Sequence, residues 1–167
     1  MNIATLFIEY VVKPVLDQLD AAAGGRGKLN TESAITLILM IAAHESGKFT
    51  YSKQVRGPAL GFTQMEPATF KWLVEWLGKH KPNLLDAMNM FGPINQPDAR
   101  MMVISPQYAV AAARMNLLRF PESLPDADDL DGLARYAKKY WNTSAGKATE
   151  ADYKKAYLAL MKQEKAA

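Results

Sequence analysis

Residues 33–47 read Ser33-Ala-Ile-Thr-Leu-Ile-Leu-Met-Ile-Ala-Ala-His44-Glu45-Ser46-Gly47, and the run is apolar on almost every side of a helix. Such a helix is stable only when other elements surround it, so it predicts the buried central helix of a domain. Asn30 or Thr31 offers the side-chain oxygen that caps its start. Gly47 is the natural stop. The run falls short of the roughly 20 apolar residues that cross a bilayer. It therefore delivers one carboxyl group, Glu45, to the end of a buried helix.

Upstream, Ile3, Phe7, Ile8, Val11, Val12, Val15, Leu16 and Leu19 form one stripe at helical spacing. Pro14 either kinks that helix or starts a second one. Gly24-Gly25-Arg26-Gly27 breaks the chain into a loop. Downstream, Tyr51, Val55, Leu60 and Phe62, with Gly57-Pro58 among them, predict short strands and turns over residues 49–65. Pro67 suits the first turn of a helix whose stripe is Phe70, Leu73, Val74 and Leu77. Further helices are predicted over 84–91, 105–119, 128–140 and 149–162. No repeat or linker interrupts the chain. The expectation is one α+β domain over residues 1–167, mostly helical, with a small β patch directly after the central helix.

Composition narrows the function classes. An apolar fraction of 49% and a charged fraction of 22% are those of an ordinary soluble globular protein. Without cysteine there is neither a disulfide framework nor a thiolate metal site, and His44 and His80 have no metal-ligand spacing, so no metal or cofactor is expected. Residues 3–12 are rather apolar, but no basic segment precedes them and Glu9 interrupts them, which reads as no export signal. The formal charge is +3, unevenly spread: residues 132–167 hold eight Lys/Arg against three Asp/Glu. That basic C-terminal region is either a solvated helix face or a point of attraction to an anionic envelope surface. No nucleic-acid motif accompanies it.

Glycoside hydrolysis needs a carboxylic acid that stays protonated near neutral pH and gives its proton to the leaving oxygen. Desolvation and an unfavourable field for the charged form both produce one. Glu45 should have both, since it follows an apolar run and stands near the negative end of a helix dipole.

Sixteen residues beyond Glu45 comes Gly61, within Pro58-Ala-Leu-Gly-Phe-Thr-Gln-Met-Glu-Pro-Ala-Thr69. Together with Glu45-Ser46 this resembles the soluble lytic transglycosylase and goose-type lysozyme superfamily. There a Glu-Ser pair ends a helix and a Gly-Ala-x-Gly-Leu-x-Gln-x-x-Pro-x-Thr stretch follows. Ala59, Gly61, Gln64, Pro67 and Thr69 stand in register, with Phe62 where leucine is usual. A third family element, a Tyr-Asn pair, is met by Tyr140-Trp141-Asn142-Thr143, where Trp141 replaces the tyrosine. The region around it looks like phage-encoded members of the group.

The resemblance implies a lysozyme-like fold and an endolysin that cleaves the β-1,4 bond between N-acetylmuramic acid and N-acetylglucosamine in peptidoglycan. Glu45 would be the acid. Gln64 would bind an N-acetyl group or a water, Ala59 and Gly61 would let the glycan approach, and Asn142 would line the site. Tyr136 or Tyr140 would replace the hydroxyl that Trp141 cannot provide. Glu66 is the only acid inside the motif, and is either a second catalytic carboxylate or a helix N-terminal charge. Asp86 and Asp98 have no supporting pattern. With one acid the product is the 1,6-anhydro end of a lytic transglycosylase; with water it is a muramidase product. Trp72, Trp76 and Trp141 either stack on sugars or pack. A phage lysin of this kind would be a monomer, made in the host cytoplasm and acting in the periplasm, freed by a holin or carried on the virion. A non-catalytic wall-binding or virion protein that keeps the fold is the alternative of another class.

Overall fold

The computed structural model describes residues 2–93, 96–142 and 146–165, with side chains to residue 162. It is mostly helical. The helices are α1 (Ile3–Phe7), α2 (Lys13–Ala22), α3 (Glu32–Glu45), α4 (Pro67–His80), α5 (Pro82–Asn89), α6 (Pro106–Leu118), α7 (Leu130–Ala137) and α8 (Glu150–Lys165). A π-helical segment, Ile8–Val12, joins α1 to α2, and Pro14 lies in the first turn of α2. The proline ring has no N–H and collides with the carbonyl four residues back, which widens the turn there. A second π-helical segment, Lys138–Asn142, continues α7, and a 3₁₀ turn spans Ala99–Val103.

Thr31 caps α3 by accepting from the Ala34 N–H at 3.1 Å. Nine residues of α3 from Ala34 to Ala43 are buried, and the helix packs against α6, α7 and α8. It is the expected central helix. Its neighbours are fixed by their own caps: Ser105 accepts from Tyr108 N–H, Asp129 from Gly132 N–H, and Thr149 and Asp152 cap α8 reciprocally.

The loop after α2 is tied inward. The Asp20 carboxylate accepts from the Gly27 and Leu29 N–H groups, both at 2.8 Å, while buried Arg114 donates to the Leu29 and Lys28 carbonyls.

Residues 49–65 differ from the expectation of short strands. Among the described residues there is no strand, only two isolated antiparallel bridges, Lys53 with Leu60 and Leu60 with Met65. Lys48, Phe49, Arg56, Gly61 and Gln64 all have positive φ, and each reverses the chain before a strand can extend. Among the described residues no helix is long and apolar enough to cross a membrane.

Candidate active site

Glu45 is the last residue of α3, and the chain turns sharply after it. The Ser46 hydroxyl donates to the Ala42 carbonyl at 2.6 Å and accepts from the Phe49 N–H at 2.7 Å. Gly47 follows at φ 59°, the left-handed conformation that ends helices. This locked turn leaves the Glu45 side chain half-buried, pointing at α8 rather than fraying into water.

There the Tyr153 hydroxyl donates to Glu45 Oε1. Tyr153 is fully buried in a small core formed with Leu37, Met40 and Ile41 of α3. Burial holds the Glu45 carboxyl above its ordinary value, against the opposing pull of the Tyr153 hydrogen bond and the neighbouring His44. The His44 ring packs on the Tyr153 ring at 4.3 Å between centroids, and Asn142 also interacts with the Tyr153 hydroxyl. Burial and the adjoining carboxylate push the Tyr153 phenol far up, so it stays a donor.

Glu45 opens onto a cleft of about 490 Å³. Gln54, Ala59, Gln64, Met65 and Glu66 supply one wall from the segment after α3. Thr69 of α4 and Asn116 of α6 extend it, and Trp141, Asn142 and Gly146 close the other side. Four lining residues are amides, each tied by at least one atom. Gln54 accepts from Ala59 N–H, and Gln64 donates to the Gly61 carbonyl at 2.7 Å. Asn116 accepts from Arg119, and Asn142 accepts from Lys138. Amides held in this way offer further donors and acceptors to a polar, uncharged ligand without having to be ordered first. Among the described residues no group of three or more His, Cys, Asp or Glu could hold a metal ion.

The sequence-predicted residues divide. Glu45, Ala59, Gln64, Glu66 and Asn142 all line this one cleft. Gln64 is not in one of the expected short strands; it has φ 53° in a turn. Glu66 stands at the N-cap of α4 but makes no side-chain cap hydrogen bond. Gly61 does not line the cleft. A Cβ there would lie 2.8 Å from Ala109 Cβ and 3.1 Å from the Met102 carbonyl, so its bareness serves packing under α6 rather than approach of a ligand.

Tyr136 and Tyr140 stand apart from the cleft. Both hydroxyls donate to Glu122, to its carbonyl and its carboxylate respectively, and neither residue lines the cleft. The π-helical segment after α7 points Tyr140 away from Glu45, where it stacks on Phe120. Trp141 does line the cleft and donates from Nε1 to the Thr63 carbonyl at 3.0 Å, pinning the motif loop. Asp98 pairs with Arg100 and caps the 3₁₀ turn, and neither it nor Asp86 reaches the cleft. Thr143 lies outside the described residues.

Sequence reasoning missed Tyr153, Asn116 and Gln54 as parts of this site. Tyr153 carried one signal: with Tyr157, Leu160 and Met161 it repeats at helical spacing, an inward face for α8 that holds a hydroxyl. No protein-family model matches the chain, no curated protein sequence matches it, and no solved structure matches its fold.

Proposed function

We propose that this protein cleaves the β-1,4 bond between N-acetylmuramic acid and N-acetylglucosamine of bacterial peptidoglycan, as a phage lysin with a lysozyme-like fold. The observation that carries the reading is Glu45. Its carboxyl holds its proton above the ordinary range, is oriented by Tyr153, and opens onto an amide-lined cleft. A neutral carboxyl beside the scissile oxygen donates its proton as the bond breaks, and the resulting carboxylate is stabilised by the Tyr153 hydroxyl. The amides suit the hydroxyl and acetamido groups of an aminosugar chain.

Glu66 is the second carboxylate of the cleft and, with no capping bond to hold it, is assigned to activating water in a muramidase. A second reading has an observation of its own. Burial raises the proton affinity of Glu45, which suits a single group acting first as acid and then as base, with the substrate's acetamido group assisting. That is lytic transglycosylase chemistry. Mass spectrometry of digested sacculi separates the two, since reducing ends mark the muramidase and 1,6-anhydro ends the transglycosylase.

The protein would act in the periplasm after synthesis in the host cytoplasm. Several of its C-terminal cations are engaged internally, Lys139 with Glu122 and Lys154 with Asp131, so any attraction to an anionic envelope surface falls to the others. Turbidity of permeabilised Gram-negative cells tests the reading. Lysis by the wild type and none by Glu45→Gln is expected. Equal behaviour of the two proteins would instead indicate a non-catalytic wall-binding or virion protein.

A further inference from the structure

One helical turn beyond the cleft wall, at the end of α6 and facing a ring of α4, stands a cation with no anion among the described residues. On α4 the step runs from Thr69 to Trp72, and on α6 from Asn116 to Arg119, the C-terminal cap residue. The Arg119 guanidinium lies 4.4 Å from the centroid of the Trp72 ring and 4.6 Å from that of Phe120. Its Nε donates to the Asn116 carbonyl and, at 2.8 Å, to Asn116 Oδ1. Two rings and a forked hydrogen bond fix the plane of the group. Among the described residues its terminal nitrogens make no hydrogen bond, and no carboxylate lies within ion-pair distance.

Capping the α6 carboxyl end explains the Nε contacts but leaves two terminal nitrogens directed by the rings and unused. A planar guanidinium held in this way matches a carboxylate, which it can grip with two parallel hydrogen bonds. Trp72 is 44% exposed, so a ligand leaving the cleft along α4 meets this pair next.

Resting on the peptidoglycan reading, we infer that Arg119, braced by Trp72, Phe120 and Asn116, binds a carboxylate of the peptide stem carried by the muramyl residue. The site would make the enzyme select stem-bearing strands over bare aminosugar polymers. It is a specificity residue, not a catalytic one.

The test compares three substrates: strands with intact stems, the same strands with stem carboxyls converted to amides, and strands freed of stems by an amidase, whose muramyl residues keep only the lactyl carboxylate at the sugar. Wild type should favour the first over the other two by at least about tenfold in kcat/KM, mostly through KM, the scale of one charge-assisted pair. Arg119→Gln should bring the three to within about twofold of one another, and Arg119→Lys should restore part of the preference. Equal use of all three by wild type, or a preference that survives in Arg119→Gln, overturns the carboxylate site alone. Cleavage of none of them by wild type overturns the peptidoglycan reading along with it.

Discussion

The Tyr153 hydroxyl donates to the Glu45 carboxylate across 108 residues of sequence, joining the end of α3 to the buried face of α8. The bond has two opposed consequences. It favours the charged carboxylate, while the burial that makes it possible favours the neutral acid, and burial prevails. Glu45 is thus both held in place and kept protonated beyond the ordinary range.

Tyr153→Phe separates these effects. Without the hydroxyl, the Glu45 carboxyl should rise further, because a bond to its charged form is gone. The basic limb of the pH–rate profile, which reports loss of the acid's proton, should move to higher pH. Turnover should fall about 10- to 100-fold as the carboxyl loses its orientation. Stability should drop by about 1 kcal/mol in urea unfolding. An unmoved basic limb would mean that Glu45 is not the titrating acid.

Glu45→Gln should abolish lysis and yet stabilise the fold at neutral pH. Because burial raises this carboxyl above its ordinary 4.5, the folded chain keeps a proton that the unfolded chain releases. Its contribution is complete below that value and declines as pH rises through the folded value. The melting temperatures of variant and wild type should therefore coincide near pH 3. They should diverge in the variant's favour as pH rises to 7. Divergence in the opposite direction would mean that the site favours the carboxylate.

Glu66→Gln tests the second carboxylate. With no capping bond to lose, the variant should unfold within about 0.5 kcal/mol of wild type. Release of reducing ends from sacculi should slow by about 100-fold if Glu66 activates water. Unchanged turnover would leave Glu45 acting alone and favour anhydro products.

Gly61→Ala should destabilise strongly although it only adds a methyl group. The residue has φ 74°, and the new Cβ would sit 2.8 Å from Ala109 Cβ on α6. The left-handed conformation costs about 1–2 kcal/mol and the overpacking another 1–3. A loss of about 3 kcal/mol in the urea midpoint analysis is expected, with the cleft disordered as a consequence.

What the chain's order of residues settled by itself is local. The apolar run of residues 33–43 made α3 a buried helix, because no one-sided packing could satisfy it, and Glu45 had to stand at its end. Pro67, Ser105 and Thr149 marked helix starts through capping and proline chemistry that acts within a few residues. The spacing of Ala59, Gln64 and Glu66 from Glu45 held them near one another, and they share a cleft.

Tertiary packing decided the rest. Four tyrosines follow residue 130, Tyr136, Tyr140, Tyr153 and Tyr157, and periodicity alone does not say which hydroxyl meets Glu45. The π-helical segment after α7 turned Tyr140 towards Glu122, and the packing of α8 on α3 brought Tyr153 instead. Gly61 likewise met α6, not the cleft, and residues 49–65 stayed turns because positive φ values interrupt every strand-like run. A helix is written in neighbours three and four apart; a proton held between residues 45 and 153 depends on how two helices come together.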